Sequence, residues 1–396
     1  MNALLNEICG KYTIPQETKA AGIYPYYKPI SSGQDPIVKM ADGSSVMMFG
    51  SNSYLGLSDD PRLKEAAIKA IEKYGTSCSG SRFLNGTLDI HEELEEKLAR
   101  FVGKDQAVTF STGFQVNLGV ISALGFRGGY ILLDDTDHAC IIDGSRLSWS
   151  TVYKFKHNDM DALEKKLKAC EPDAPKMIVV DGVYSMLGDL CPLPQICELA
   201  KKYNASVMVD DAHGLGVFGK NGSGTADYFG LTDKVDLIMG TFSKSFGSLG
   251  GFIAGSEPVI NYLKHNARSL IFSASMTPAA VAAASKALDI MQSEPERIEH
   301  LWDITRYAHA KFRENGFDIN ATQSPIIPLM VRDTRKAMQI VTLAYNEGVF
   351  ITPVIAPAVP EKDVLIRFAL MATHTKEHID IAVEKLTKIF KQLDVI

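Results

Sequence analysis

The chain has 396 residues, of which 46% are hydrophobic and 22% charged, so it has enough material for two ordinary globular domains. The formal net charge of −6 is spread over interspersed acidic and basic residues, which argues against a nucleic-acid partner. No apolar run approaches the roughly 18 residues of a membrane span, and the six cysteines without Cys-x-x-Cys spacing predict a reduced, cytoplasmic location.

The first third of the chain combines short irregular segments with two predicted helices. Residues 1–54 form an N-terminal segment of short polar and aromatic stretches. Pro61 precedes an amphipathic helix over 62–74, and a second helix is predicted over 89–102. The run between them, Thr76 to Thr87, is too polar and too rich in glycine for a core element, and a loop of this length is typical of functional sites.

A phosphate site is one interpretation of the residues that follow the strand predicted over 107–110. There, Ser111–Gln115 leads into a predicted helix, and a helix N-terminus after a strand presents free backbone N–H groups to an anion. A plain helix cap by Ser111 or Thr112 is the open alternative.

Strand-like and helix-like segments then alternate as far as residue 254, which is typical of a mostly parallel sheet covered by helices. The predicted strands are 130–133, 151–155, 177–180, 205–210, 235–238 and 251–254. Ligands of such α/β sheets bind beyond the carboxyl ends of the strands.

The pattern changes after two helical stretches, over about 277–292 and 295–315. From Ile326 a strand, a helix, two strands and a helix predict a smaller α+β domain. We therefore expect a large domain over 55–292 and a small C-terminal domain over 293–396.

The stretch Met239–Gly251 places Lys244 among hydroxyl and glycine residues after an apolar strand. Such a lysine can be an exposed loop residue, a phosphate-binding charge or an amine that forms a Schiff base. The strand over 205–210 ends in Asp210, and His213 follows three residues later. Together these groups fit pyridoxal phosphate (PLP), which needs an amine, a carboxylate at its ring nitrogen, a polar contact at its phenolic oxygen and a phosphate site.

Each of these residues also has a structural interpretation. Asp210 could cap a turn or bind a metal beside Asp211, and His213 could be a structural histidine. His138 follows another predicted strand, where it could lie flat over a coenzyme ring or belong to a polar loop. Arg367 lies in an apolar strand and could bind a substrate carboxylate or form a structural ion pair.

Two competing site types are less well supported. Gly214–Gly219 satisfies the dinucleotide pattern G-x-G-x-x-G, but the next residues, Lys220–Gly224, cannot open the helix that this fingerprint requires. A metal site built from the aspartates and histidines lacks a helical i, i+4 histidine pair and Cys/His spacing, so no metal is predicted.

From about Asn52 to Thr375 the chain resembles the α-oxoamine synthases, PLP enzymes that condense an amino acid with an acyl-CoA and release CO2. A narrower match to one branch of this family is carried by the segments Gly50–Leu57, Ser79–Gly86, Ile142–Leu147, Thr241–Lys244 and His265–Arg268. The resemblance implies an aspartate-aminotransferase-like α/β fold (fold type I) and a homodimer with active sites at the subunit interface.

The resemblance also implies roles for individual residues. Lys244 would bind PLP covalently, Asp210 would meet the ring nitrogen, and His138 would stack on the ring. Further coenzyme contacts would come from His213 and Ser185 at the phenolic oxygen, from Gly113, Phe114, Thr241 and Ser243 at the phosphate, and from Ser273 of the partner subunit. Arg367 and Asn52 would bind a carboxylate. Phe114 and Cys140 stand where relatives often have Tyr and Ser.

The substrates follow from a narrower match within this family. Members that act on glycine or alanine usually carry a glycine before the lysine, where this chain has Ser243. We therefore expect L-serine and palmitoyl-CoA as substrates and 3-oxosphinganine as product, with a sister enzyme using glycine or alanine as the alternative. A PLP-binding protein without turnover is disfavoured because a base, a carboxylate anchor and an electron sink are all present. Peripheral contact with the inner membrane stays open.

Overall fold

The computed structural model describes residues 2–396. Its helices are α1 (Ala3–Ile8), α2 (Ile14–Ala20), α3 (Pro61–Tyr74), α4 (Asp89–Phe101), α5 (Gly113–Leu124), α6 (Ala139–Arg146), α7 (Met160–Lys168), α8 (Leu193–Lys202), α9 (Thr225–Tyr228), α10 (Glu257–Asn266), α11 (Arg268–Ile271), α12 (Pro278–Ser293), α13 (Glu296–Glu314), α14 (Thr334–Asn346) and α15 (Lys376–Gln392). Its strands are β1 (Ile37–Lys39), β2 (Ser45–Met48), β3 (Gln106–Phe110), β4 (Tyr130–Asp134), β5 (Thr151–Phe155), β6 (Lys176–Asp181), β7 (Ser206–Asp210), β8 (Leu237–Thr241), β9 (Gly251–Gly255), β10 (Ile326–Met330), β11 (Val349–Phe350), β12 (Thr352–Val354) and β13 (Leu365–Ala369).

The described residues divide into two compact units. The larger comprises Asn52–Trp302 and Gln323–Pro325. The smaller comprises the described residues up to Ser51, together with Asp303–Thr322 and Ile326–Ile396. Within residues 2–396, none of the helices combines the length and the apolar character that crossing a bilayer would demand.

The larger unit is built on a seven-stranded sheet in the order β3-β9-β8-β7-β6-β4-β5. All neighbouring strands run parallel except β9, which is antiparallel to both β3 and β8. The predicted mostly parallel α/β sheet is thereby confirmed. Asp181, Asp210 and Met239 are in register on three adjacent strands, so the carboxyl ends of these strands end at one edge of the sheet.

Apolar residues on both faces explain why these strands are central. Every residue of β6 and of β8 is buried, as expected for strands covered by helices on two sides. One core cluster joins the sheet to α5 and α10 through apolar side chains, among them Phe110, Val120, Val179, Met208 and Ile260.

The strand that precedes Lys244 differs from its prediction. The sequence predicts a strand over 235–238, whereas β8 begins at Leu237 and extends to Thr241. Gly240 and Thr241 pair with Phe252 and Gly251 of the antiparallel strand β9. This pairing holds Gly240, a residue with low strand propensity, in extended conformation.

The smaller unit contains two three-stranded sheets, β1-β2-β11 and β10-β13-β12, with α14 and α15 packed together. Phe49 stacks on Phe368 of β13 with ring centroids 4.1 Å apart, and Phe312 meets the same ring at 5.0 Å. The N-terminal strands therefore pack in the same core as the C-terminal ones.

Candidate active site

A cavity of about 260 Å³ lies at the carboxyl edge of the large sheet. Its lining includes nine of the residues assigned to the coenzyme from the sequence: Gly113, Phe114, His138, Ser185, Asp210, His213, Thr241, Ser243 and Lys244. A larger cavity, of about 490 Å³, lies at the amino ends of the same strands and is lined by none of these residues. The residues predicted to bind the coenzyme therefore line the smaller cavity and not the larger one.

Lys244 lies on the loop that joins β8 to β9. The loop is closed by two backbone hydrogen bonds, from Phe242 N–H to the Gly250 carbonyl (2.9 Å) and from Ser248 N–H to the Phe242 carbonyl (2.8 Å). Phe242 and Phe246 are fully buried beside the half-buried lysine. These buried rings and the two hydrogen bonds hold the backbone of the loop that carries Lys244 in place.

An anion site is formed where α5 begins. The hydroxyl oxygen of Thr112 accepts a hydrogen bond from Gln115 N–H and caps the helix, and the next residue is Gly113. A Cβ at position 113 would lie 2.8 Å from Thr241 Oγ1, so only glycine lets the helix N-terminus come this close to the end of β8. The Thr241 hydroxyl lies 3.1 Å from that of Ser243. Backbone N–H groups and two hydroxyl groups thus meet at a helix N-terminus, an arrangement that suits a phosphate.

The carboxylate of Asp210 is buried and held at both oxygens. Oδ1 accepts a hydrogen bond from Ala212 N–H (3.0 Å), and Oδ2 accepts one from Asn117 Nδ2 (2.6 Å). Asn117 was not predicted as a site residue, although an amide on the buried face of helix α5 was a usable signal.

His213 has a buried phenol as its partner. Tyr54 Oη lies 2.6 Å from His213 Nδ1, and the two rings meet edge to face with centroids 5.9 Å apart. Tyr54 lies in Gly50–Leu57, one of the segments similar to the family, but the sequence predicted no role for it. The two residues are 159 positions apart, so their contact could not be predicted from local pattern.

His138 caps α6 and faces the cavity beside Phe114, whose ring centroid is 6.4 Å away. Its backbone N–H donates to Asp181 Oδ2 at 2.8 Å. Burial lowers the pKa of His138, while Asp210 raises it and Lys244 lowers it further. The imidazole is therefore mainly neutral near pH 7.

Buried carboxyl groups lie beside this histidine. Burial raises the pKa of Asp181 and of Asp137, and repulsion between the buried carboxylates, including Asp210 beside Asp181, raises both further. Asp137 accepts hydrogen bonds from the backbone N–H groups of Asp181 (3.1 Å) and Asp134 (2.9 Å). Asp181 lines the cavity and was not singled out from the sequence.

Three predicted site residues are not part of the cavity wall. Ser273 accepts a hydrogen bond from Gln115 Nε2 of the same chain at 3.0 Å. Asn52 belongs to the larger unit, and its Oδ1 lies 3.5 Å from Tyr54 Oη. Arg367 belongs to the smaller unit, where it is buried on β13 opposite Pro328 and Thr352.

The donor set of the cavity fits PLP. An amine (Lys244) and a carboxylate (Asp210) line the same small space as an uncharged imidazole (His138) and a helix N-terminus whose first residue must lack a Cβ. An amine can hold an aldehyde, a carboxylate can hold a ring nitrogen, and the helix N-terminus can hold a phosphate.

Residues 44–386 match the model of the aminotransferase class I and II family, and the chain belongs to this family. The fold is accordingly the aspartate-aminotransferase-like α/β fold that the sequence motifs implied.

More specific similarity lies with acyltransferases of this fold. Serine palmitoyltransferase of Bacteroides thetaiotaomicron is 61% identical over 393 residues, which cover 99% of this chain and 100% of that protein. The solved serine palmitoyltransferase from S. paucimobilis with bound PLP is 33% identical, covers 100% of both chains and superposes with a TM-score of 0.96. 8-Amino-7-oxononanoate synthase of Lysinibacillus sphaericus is more distant, at 43% identity over 381 residues, or 96% of this chain and 98% of that protein.

Proposed function

We propose that this chain is a serine C-palmitoyltransferase, a PLP-dependent acyltransferase. It condenses L-serine with palmitoyl-CoA and yields 3-oxosphinganine, CoA and CO2, the first step of sphingolipid synthesis. The observation that carries the proposal is a cavity that holds Lys244 and Asp210 together, in a chain 61% identical over nearly its whole length to a serine palmitoyltransferase.

The coenzyme is held by the residues of this cavity. Lys244 binds it covalently, and the carboxylate of Asp210 pairs with the ring nitrogen. When bound, PLP acts as an electron sink for charge that develops on the substrate α-carbon. His213 and Ser185 contact the phenolic oxygen, while Gly113, Phe114, Thr241 and Ser243 contact the phosphate.

The side chains of this chain then supply positioning and proton transfer. Asn117 and the Ala212 N–H orient the Asp210 carboxylate, because each of its oxygens has its own donor. With coenzyme and substrate bound, the amine of Lys244 would act as the base that removes the proton at the substrate α-carbon. The loop bonds around Lys244 keep that amine within reach.

His138 covers the coenzyme ring and keeps water from the reacting carbon. Its lowered pKa supports this role, because an uncharged imidazole stacks on an aromatic ring without carrying a hydration shell into the cavity. The family resemblance assigns the substrate carboxylate to Arg367 and Asn52, and a carboxylate can accept two hydrogen bonds from a guanidinium.

The active enzyme is a homodimer with active sites shared between subunits, to which Ser273 of the partner contributes at the phosphate. The neighbouring Phe272 supports this assembly, because this large apolar residue is 73% exposed in the single chain and a second subunit would cover it.

A sister enzyme that uses glycine or alanine is the second candidate, favoured by relatives such as the 43% identical 8-amino-7-oxononanoate synthase. Ser243 before the lysine argues against it, because members with those substrates usually carry glycine there.

Product identification separates the two candidates. The purified enzyme is incubated with palmitoyl-CoA and an equimolar mixture of isotopically distinct serine, glycine and alanine, and the products are identified by mass spectrometry. We expect 3-oxosphinganine carrying the serine label as the dominant product. A dominant glycine- or alanine-derived ketone would replace the proposed substrate, and the absence of any condensed product would refute the acyltransferase activity.

A further inference from the structure

A continuous path of hydrogen bonds joins Asp210 to His138 through two buried side chains. Asn117 Nδ2 lies 2.6 Å from Asp210 Oδ2 and 3.0 Å from Cys140 Sγ. Cys140 Sγ in turn lies 2.8 Å from His138 Nδ1. Asn117 is fully buried and Cys140 is 3% exposed, so water does not compete for these contacts.

The orientation of the Asn117 amide follows from its partner. The Asp210 carboxylate only accepts hydrogen bonds, so the amide nitrogen must face it. This nitrogen carries two hydrogens, and the second is available to Cys140 Sγ. Asn117 therefore donates to both of its neighbours.

The His138 end of the path fixes a tautomer. The backbone N–H of Cys140 lies 3.3 Å from His138 Nδ1, and since a backbone N–H can only donate, Nδ1 must accept. Burial raises the pKa of the Cys140 thiol well above its usual range, so the thiol keeps its hydrogen, and the thiol and the backbone N–H share the single lone pair of Nδ1. The proton of the neutral imidazole therefore resides on Nε2.

We propose that Asn117 and Cys140 are positioning residues whose hydrogen-bonded bridge ties the His138 ring to the Asp210 carboxylate and holds Nδ1 as an acceptor. The bridge consists of hydrogen bonds between side chains of this chain, so it does not depend on the proposed function. Only its effect on catalysis rests on that function. It gives the cysteine at position 140 a role that serine could also fill, since either side chain can accept from Asn117 and donate to His138.

The charged groups around His138 determine how its pKa changes when the bridge is lost. Asp210 favours the protonated imidazole, Lys244 disfavours it, and Asp181 accepts from the backbone N–H of His138. The thiol donor stabilises the neutral ring, because protonation of Nδ1 would leave no lone pair to receive it. Removal of the thiol therefore raises the pKa of His138.

The test observes His138 directly in the full-length, PLP-loaded protein. Protein labelled with ¹⁵N-histidine is studied by NMR from pH 6 to pH 9, and the His138 resonances are assigned by their loss in His138→Gln. The variants are Cys140→Ala, Cys140→Ser and Asn117→Leu, with Cys197→Ala as the matched control, since Cys197 is a buried cysteine of α8 outside the cavity.

We expect the Nε2-protonated tautomer in the wild-type, Cys140→Ser and Cys197→Ala proteins. Cys140→Ala and Asn117→Leu are expected to raise the pKa of His138, whereas the Nε2-protonated tautomer persists in both because the backbone N–H of residue 140 still donates to Nδ1. In parallel, kcat/KM should fall about five-fold in Cys140→Ala, the effect of one neutral hydrogen bond, and recover in Cys140→Ser. Asn117→Leu should lose roughly ten-fold or more, because its bond to Asp210 is charge-assisted.

Two results would overturn the bridge. One is a wild-type His138 that carries its proton on Nδ1, a measurement that needs no variant to fold. The other is a Cys140→Ala protein whose His138 resonances and pKa match those of the Cys197→Ala control. Neither result depends on the product formed, so failure of the bridge is distinguishable from failure of the proposed activity.

Discussion

Asp211, the residue after Asp210, has a buried carboxyl group that accepts two hydrogen bonds from Thr225. The backbone N–H of Thr225 donates to Oδ2 (2.6 Å), and the Thr225 hydroxyl donates to Oδ1 (2.9 Å). Burial, with a smaller contribution from the neighbouring Asp210, raises the pKa of Asp211 to about 7 in spite of these hydrogen bonds. The group therefore changes charge close to neutral pH inside the protein.

The raised pKa of Asp211 predicts a pH dependence of stability. Because the folded-state pKa lies above the unfolded value of about 4, the folded protein binds more protons. The contribution of Asp211 to the free energy of unfolding is complete below about pH 4 and is lost as the pH rises to about 7 and beyond. This loss lowers the free energy of unfolding by a few kcal/mol. Asp211→Asn should remove this dependence, as checked by urea unfolding at pH 5 and pH 8.

The exposed Asp173 provides the control, as Asp173→Asn should leave the pH dependence of the wild type intact. If Asp211→Asn loses as much stability between pH 5 and pH 8 as the wild type does, Asp211 is not the group responsible.

Site residues could be predicted from the sequence where the pattern of their immediate neighbours marks them. Asp210, Lys244 and His138 each follow a strand, and strand ends can be recognised from apolar runs, so their meeting in one cavity was predictable. Asn117 and Tyr54 act through contacts with residues 93 and 159 positions away. No periodicity or spacing encodes such contacts, because they exist only after the sheet has assembled.

At the scale of elements, the close approach of α5 to the end of β8 depends on Gly113. In Gly113→Ala the new Cβ would lie 2.8 Å from Thr241 Oγ1 and 2.9 Å from Thr241 Cβ, so the helix N-terminus must move away. We expect a loss of about 1–3 kcal/mol of stability from overpacking and weaker retention of PLP. Thermal unfolding and coenzyme absorbance after dialysis measure the two effects.

Gly129→Ala is the matched control, since its Cβ would meet no atom closer than 3.3 Å. Retention of PLP in Gly113→Ala at the level of the Gly129→Ala control would show that the helix N-terminus does not hold the phosphate.

The elements themselves were predicted best where they are buried and bounded by clear signals. Helix α3 has proline at its first position and glycine after its last, and its predicted bounds differ by one residue. The two N-terminal helices, α1 and α2, were not predicted. They have no buried residues, so the apolar periodicity that marks a packed helix is absent from them.

At the scale of the whole molecule, the shared active site predicts complementation between inactive subunits. Ser273 accepts a hydrogen bond from Gln115 of its own chain, and in the proposed dimer it serves the phosphate of the partner's site. If it serves the partner, a hybrid of Lys244→Ala and Ser273→Leu subunits has one site with both defects and one with none. Random reassociation of equal amounts should then restore roughly a quarter of wild-type activity.

The baseline is the activity of the two parent variants, measured for each alone and for a mixture in which the dimers have not been dissociated. If Ser273 serves its own subunit, every site in the hybrid carries one defect, and mixing restores nothing beyond the parents' mean.

The antiparallel direction of β9 has a mechanical consequence for Lys244. A parallel neighbour would send the chain away through a crossover helix, but here the loop leaves β8 and re-enters the sheet at the same edge, through paired Thr241 and Gly251. Paired strands thus hold both ends of the loop that carries the lysine. An apoprotein should keep this anchorage in advance of any coenzyme, so reconstitution requires no refolding, and amide hydrogens around position 244 should exchange slowly whether or not the coenzyme has been stripped away.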